Sequence, residues 1–151
     1  MAQRDESEFE AFACDARRRL VRALAPARGD DAVDGAAEAL AYAWEHWSEV
    51  SQMANPVGYL YRVGQSRTRR RRSPHLPEPK SVGMPDVEPR LIPALLGLPE
   101  TQRTAVWLVH ACQWRYSEVA EALGTRPSMV GNHVARGLVR LRAELEVNSS
   151  A

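Results

Sequence analysis

The stretch YSEVAEALGTRPSMVGNHVARGLVRLR, Tyr116 to Arg142, decides the fold. A short apolar-periodic segment stops at Gly124, and a longer one starts almost at once and ends among arginines. Val119, Ala120 and Leu123 fall three and four apart, on the inner face of a first helix. Gly124 stands where the chain turns sharply, and the small Ala120 lets two helices approach. Val130 and Val134 anchor a second helix, which Pro127 opens in its first turn. This is helix-turn-helix spacing, and the second helix of that motif enters the major groove of DNA. Ser128, Gly131, Asn132, His133 and Arg136 are read as its outward positions. An α-hairpin with a solvated basic face has the same spacing, so the rest of the chain must decide.

Upstream, LPETQRTAVWLVHACQW reads as a helix with Pro99 in the first turn and a core stripe of Ala105, Val106, Leu108, Val109 and Cys112. A short helix from Leu91 to Leu96, ended by Gly97, precedes it. The pattern collapses from Ser73 to Pro89: SPHLPEPKSVGMPDVEP is proline-rich and aperiodic, which reads as a linker. Before it lies a second helical module. Its first helix is expected from about Glu8 to Ala25, with Phe9, Phe12, Ala13, Ala16, Leu20 and Leu24 as its stripe and Pro26 and Gly29 as its end. A second helix is expected over roughly Ala32 to Trp47, turning Val33, Ala36, Ala37, Leu40, Trp44 and Trp47 to one face. Asn55 and Pro56 then start a third, which carries Val57, Leu60, Tyr61 and Val63 inward. Gly58 and Gly64 cost that helix about 1 kcal/mol each relative to alanine. With five arginines crowding its end, the N-terminal module is expected to be the less stable half. The fold class is all-α: two small helical domains, 8–72 and 90–146, joined by the flexible linker 73–89.

Composition sets bounds on function. The 151 residues are 44% hydrophobic and 26% charged, and no run of about 18 apolar residues exists to span a membrane. The acidic N-terminus lacks the basic start and apolar run of a secretory signal, so the expected location is the cytoplasm. Net charge is only +1, so a basic balance is no argument for nucleic acid. Its distribution is: arginines concentrate in RTRRRR (67–72) and on the last helix, and acids gather at Asp30, Asp31, Asp34 and Glu38. Cys14 and Cys112 lack ligand spacing and read as buried free thiols. His46, His75, His110 and His133 are scattered, with no triad spacing and no Gly-rich phosphate loop. An enzyme is excluded on that ground, and nothing calls for a cofactor or metal.

LPETQRTAVWLVHACQWRYSEVAEALGTRPSMVGNHVARGLVRLRAEL resembles region 4 of the extracytoplasmic-function group of sigma-70 factors. Leu98-Pro99, Gln102-Arg103, the SEVAEALG run and the Arg-x-x-x-Leu-Arg ending fall in order. The first module agrees independently. DAVDGAAEALAYAW resembles the family's region 2 helix, and NPVGYLYRV resembles the segment leading to −10 contact.

The resemblance implies a factor that binds core RNA polymerase through its β′ clamp and β flap, opens the −10 element and reads the −35 element of promoter DNA. On it, Asp31, Asp34 and Glu38 hold the clamp. The −10 contacts are Trp47, Gln52, Met53, Asn55, Arg62, Arg67, Arg69 and Arg70, the loop from Trp47 to Asn55 capturing an unstacked base and the arginines tracking the backbone. The −35 contacts are Arg126, Ser128, Asn132, His133 and Arg136. An anti-sigma factor, or an auxiliary protein completing region 2, is a further partner the resemblance admits, and localisation would be cytoplasmic and nucleoid-associated.

The sequence also departs from the family. A leucine usual there falls at Gly35, a clamp-facing glutamine at Ala37 and a capping serine at Arg115. The recognition helix lacks a Lys or Arg near Gly131 and His133, and SRTRRRR offers no apolar residue to continue the third helix. These departures leave an alternative: a sigma-derived helix-turn-helix regulator that no longer recruits polymerase productively.

Overall fold

The computed structural model describes residues 2–68 and 90–149, and every regular element among them is helical. The linker 73–89, with His75, and Arg69 to Arg72 lie outside the described residues.

Helix α1 runs Ala2–Arg28, longer at both ends than the periodicity predicts. Its exposed first turns are supported by Asp5 near the positive helix end and by an Arg4–Glu8 pair at 3.3 Å. At the other end, Pro26 does not stop the helix. Proline removes the N–H that would reach the Arg22 carbonyl, a loss that with the ring's clash costs about 3 kcal/mol in a helix interior. Here that carbonyl accepts the indole N–H of Trp107 at 3.2 Å, so the bond is replaced from another helix. The turn comes at Gly29, whose φ of 56° is left-handed.

Helix α2, Ala32–Glu45, buries Ala32, Gly35, Ala36, Ala39 and Ala43. The expected inner face is corrected: Ala36 is buried, Leu40 and Trp47 are half-buried, and Val33, Ala37 and Trp44 are exposed. The cause is a close crossing of α2 with α4, Pro56–Arg67. A Cβ on Gly64 would stand 3.0 Å from both the Gly35 carbonyl oxygen and Leu24 Cδ1, so the small residues of α2 must face α4 and the large ones roll outward. Gly64 is therefore a contact point, where the sequence suggests only a weakness.

A short helix α3, Trp47–Val50, drives Val50 into the core and connects α2 to α4. Helix α4 stops at Arg67, with Thr68 extended. Arg28, itself buried, donates from Nε to Thr68 Oγ1 (3.0 Å) and from Nη2 to the Gln65 carbonyl (2.9 Å). A guanidinium at a helix C-terminus satisfies carbonyls and complements the dipole. Arg28 thus caps the end of α4 from another helix.

The C-terminal module begins with α5, Leu91–Leu96, and α6, Glu100–Val106, for which Pro99 is the N-cap. Arg103 donates to the carbonyls of Leu96 and Leu98, fixing the corner between them. After α6 the helix widens into a π-helical turn, Trp107–Ala111, and Gln113 adopts a φ of 57°. Helices α7, Tyr116–Leu123, and α8, Pro127–Ser149, complete the module.

The two modules do not stand apart. Helix α4 packs along α7, and α1 meets the π-helical turn. Where α4 crosses α7 there is no room for a side chain: a Cβ on Gly58 would lie 2.4 Å from the Glu118 carbonyl oxygen and 2.9 Å from Glu121 Cβ. Around that crossing, Trp114 is buried edge-on to Tyr61 at 5.8 Å, and Arg19 lies over the Trp114 ring at 5.3 Å. Arg19 Nη2 donates to Glu118 Oε2 at 2.7 Å.

Candidate nucleic-acid interface

Gly124 closes α7 with a φ of 65°, a conformation that side-chain-bearing residues resist, and Thr125 N–H bonds back to the Ala120 carbonyl at 2.9 Å. The chain then re-enters helix at Pro127. Val130 and Val134 are buried against α7 and α6, and Gly137 brings α8 against Val106, where a Cβ would approach to 2.7 Å. The helix-turn-helix read from the sequence is therefore present. Glu118, not a serine, completes the start of α7 by accepting the Arg115 N–H at 3.1 Å.

Arg126, just before α8, is exposed, as are Ser128, Asn132 and Arg136 on its outer face, and His133 is half-buried. Gly131 is turned instead toward Tyr116, whose ring would meet an added Cβ at 3.6 Å. Asn132 has only a weak contact, 3.9 Å from Nδ2 to Met129 Sδ, so its amide is available to a base edge. Arg140 and Arg142 extend the positive charge along a helix about 34 Å long.

On the first module, Asp30, Asp31, Asp34 and Glu38 form an exposed acidic edge. Glu38 is 3.6 Å from Arg67, a pair open to solvent on both sides. Beside this edge, Val33 and Trp44 are about half exposed, at 47% and 48%, and Leu40 is half-buried. Acid and apolar surface thus lie together on α2.

The expected −10 residues divide. Gln52, Arg62 and Arg67 are exposed and Met53 and Asn55 half-buried, in and after a loop pinned by Val50. Trp47 packs its ring 5.3 Å from both Phe9 and Phe12, so it braces α1 against the loop. Arg69 and Arg70 lie outside the described residues.

Sequence reasoning missed a second cluster. Tyr42 and Tyr59 share a hydrogen bond at 3.1 Å, His46 stacks on Tyr42 at 4.1 Å, and Arg67 covers the Tyr42 ring at 5.4 Å. The hydrogen bond to Tyr59 raises the Tyr42 phenol above its ordinary range. No spacing rule reveals it, because the partners come from two helices. Of the two cysteines, Cys14 is exposed on α1, correcting the expected burial. Cys112 is half-buried, and desolvation pushes its thiol up to about 12. Among the described residues no group of three or more His, Cys, Asp or Glu side chains could hold a metal ion, and no helix is long and apolar enough to cross a membrane.

Glu118 is the one acidic side chain buried among the described residues. Burial pushes its carboxyl up, but the Arg19 hydrogen bond, the Arg115 backbone bond and both guanidinium charges outweigh that, and the net shift is down. A carboxyl lowered by folding stabilises above its usual value of 4.5 and loses that contribution as pH falls through the lowered one. Acidification below pH 4.5 is therefore expected to loosen the contact between the modules. Tryptophan fluorescence checks it: Trp107 and Trp114 should become more accessible to a quencher in that window, and unchanged quenching would count against the Arg19–Glu118 bond as its source.

Comparison with known proteins follows the same division. A family model described as Sigma-70, region 4 matches residues 90–141. Comparison with curated protein sequences gives no match. Among solved structures the chain is similar to the sigma factor RpoE from Bartonella quintana, co-crystallised with the anti-sigma factor NepR. Identity is 19% and the TM-score 0.64, over 94% of this chain and 96% of that one, a likeness of fold. Residues 90–141 thus match the region 4 domain of sigma-70 factors, and the all-helical fold of the chain is like that of the sigma factor RpoE.

Proposed function

We propose that the protein is a transcription initiation factor that brings core RNA polymerase to promoters in the cytoplasm. Residues 8–72 would serve as region 2, on the clamp and the −10 element, and residues 90–146 as region 4, on the −35 element. The observation that carries this reading is the exposed outer face of α8, held by a helix-turn-helix within a region 4 domain. The acidic and apolar edge of α2 supports it, because exposed carboxylates beside exposed apolar side chains suit a basic helical partner. Runoff transcription with purified core polymerase, on fragments selected by the protein–polymerase complex, tests it. Initiation at a defined start supports the reading; DNA binding without initiation favours the regulator.

Base reading and backbone tracking can be separated on α8. A bidentate side-chain contact is worth about 1–3 kcal/mol of discrimination at one base pair. Asn132→Ala is expected to relax preference at a single −35 position. Arg136→Ala, by contrast, should weaken binding to all sequences and lower the salt slope by about one. Selection from randomised −35 elements checks both, and unchanged preference in Asn132→Ala removes Asn132 from the base-reading set.

A further inference from the structure

The last residue of α4 is a cation that α2 holds from two sides. Arg67 Nη1 stands 3.6 Å from Glu38 Oε2, and its guanidinium carbon lies over the Tyr42 ring, 5.4 Å from the centroid. Glu38 and Tyr42 are four residues apart on α2, so they neighbour each other on one face. The ring is itself held. Its hydroxyl shares a hydrogen bond with Tyr59 of α4 at 3.1 Å, and His46 stacks on it at 4.1 Å with 18° between the planes. His46 in turn donates twice to the Tyr42 carbonyl, from its backbone N–H and from Nδ1, each at 3.0 Å. Tyr42, Tyr59 and His46 are half-buried and Arg67 is exposed, so the group sits at the surface, where core packing does not require it.

The two holds on Arg67 differ in what they leave free. A carboxylate occupies the N–H donors of a guanidinium, and a pair this open to solvent holds weakly. An aromatic ring attracts the cation through its face and leaves the N–H edge free for a phosphate. A long side chain already placed also loses less freedom when it binds. Placement matters here because Glu49 bears on the Tyr42 phenol and Glu38 pairs with Arg67, two acids that oppose a phosphate. An arginine free to swing would turn to the carboxylates.

We propose that Tyr42 is a positioning residue: with Tyr59 and His46 it forms an aromatic bracket that holds Arg67 by its face and leaves the N–H edge to a phosphate of the −10 strand. The proposal rests on the reading of residues 8–72 as the −10 module. Within that module, the bracket and not the Glu38 pair sets how well Arg67 binds.

Fluorescence anisotropy with the reconstituted polymerase complex and a selected promoter fragment, premelted at −10, measures the contact. Arg67→Ala should weaken binding about tenfold, as for a lost charge-assisted hydrogen bond, and lower the salt slope by about 0.7. Tyr42→Leu should weaken it about two- to fivefold, as for an exposed cation–π contact. Tyr42→Phe keeps the ring and loses the hydroxyl, and should stay within about twofold of the parent. In an Arg67→Ala background, Tyr42→Leu should cost nothing further, because the side chain it positions is gone. Nuclear magnetic resonance of the free chain gives a second reading: the Tyr42 ring current should move the Arg67 Hδ signals upfield, and Tyr42→Leu should return them. Parent-like binding in Tyr42→Leu, an equal loss in Tyr42→Phe, full additivity with Arg67→Ala, or unshifted Arg67 signals in the parent overturns the bracket and leaves the sigma reading standing. Should Tyr42→Leu fail to fold, the parent's Arg67 signals and the binding of Tyr42→Phe decide. If Arg67→Ala binds like the parent, Arg67 does not touch the strand, and its −10 assignment falls with the bracket. If the parent complex does not bind the fragment at all, the sigma reading fails and takes the bracket with it.

Discussion

Leu24→Ala should cost the N-terminal module about 2–5 kcal/mol, the range for deleting a fully buried leucine side chain. Leu24 has no exposed surface and sits where three helices meet. Its Cδ1 lies against the positions where Cβ atoms would stand on both Gly35 and Gly64, so it fills the space those glycines leave between α1, α2 and α4. Neither neighbour can swell into the cavity, because both are backbone. The loss should therefore fall in the upper part of the range. Urea unfolding followed by far-UV circular dichroism checks it. A loss below about 1 kcal/mol would mean that α2 and α4 collapse onto the vacancy, and that the glycine crossing is softer than its distances imply.

Reversing both charges in Asp34→Arg/Glu38→Arg is expected to weaken binding to core polymerase about a hundredfold, some 2.8 kcal/mol at 1.4 kcal/mol per decade. Like charges set against a basic partner cost several kcal/mol at an interface, whereas exposed surface changes move folding by no more than about 0.5 kcal/mol. Both side chains are exposed. The only ion pair Glu38 makes among the described residues is the solvent-open one to Arg67, a kind worth about 1 kcal/mol at most. Thermal unfolding should therefore stay near that of the parent while pull-down with core polymerase fails. Parent-like binding of the double variant would move the clamp contact away from α2.

Local pattern carried much of this protein. The three-to-four spacing of Val119, Ala120, Val130 and Val134, with Gly124 between, specified two helices and their turn, because a left-handed residue and small contacts admit few alternatives. The bounds of α5 and the exposed face of α8 were legible for the same reason: helical period is a short-range signal. What failed failed at long range. The inner face of α2 was read from its largest apolar residues, but the Gly35–Gly64 crossing chose alanines instead and left Val33 and Trp44 outside. Pro26 reads locally as a stop and Gly58 as a weakness. Only the packing of α1 and α4 on the second module supplied the Trp107 donor and the missing space that make each of them fit. Burial of Glu118 belongs to the same class, since its partner Arg19 is 99 residues away. Sequence periodicity determined which helices form and which face of α8 is free. The tertiary structure alone decided that the modules meet, because close approach and hydrogen-bond completion between distant helices leave no period in the chain.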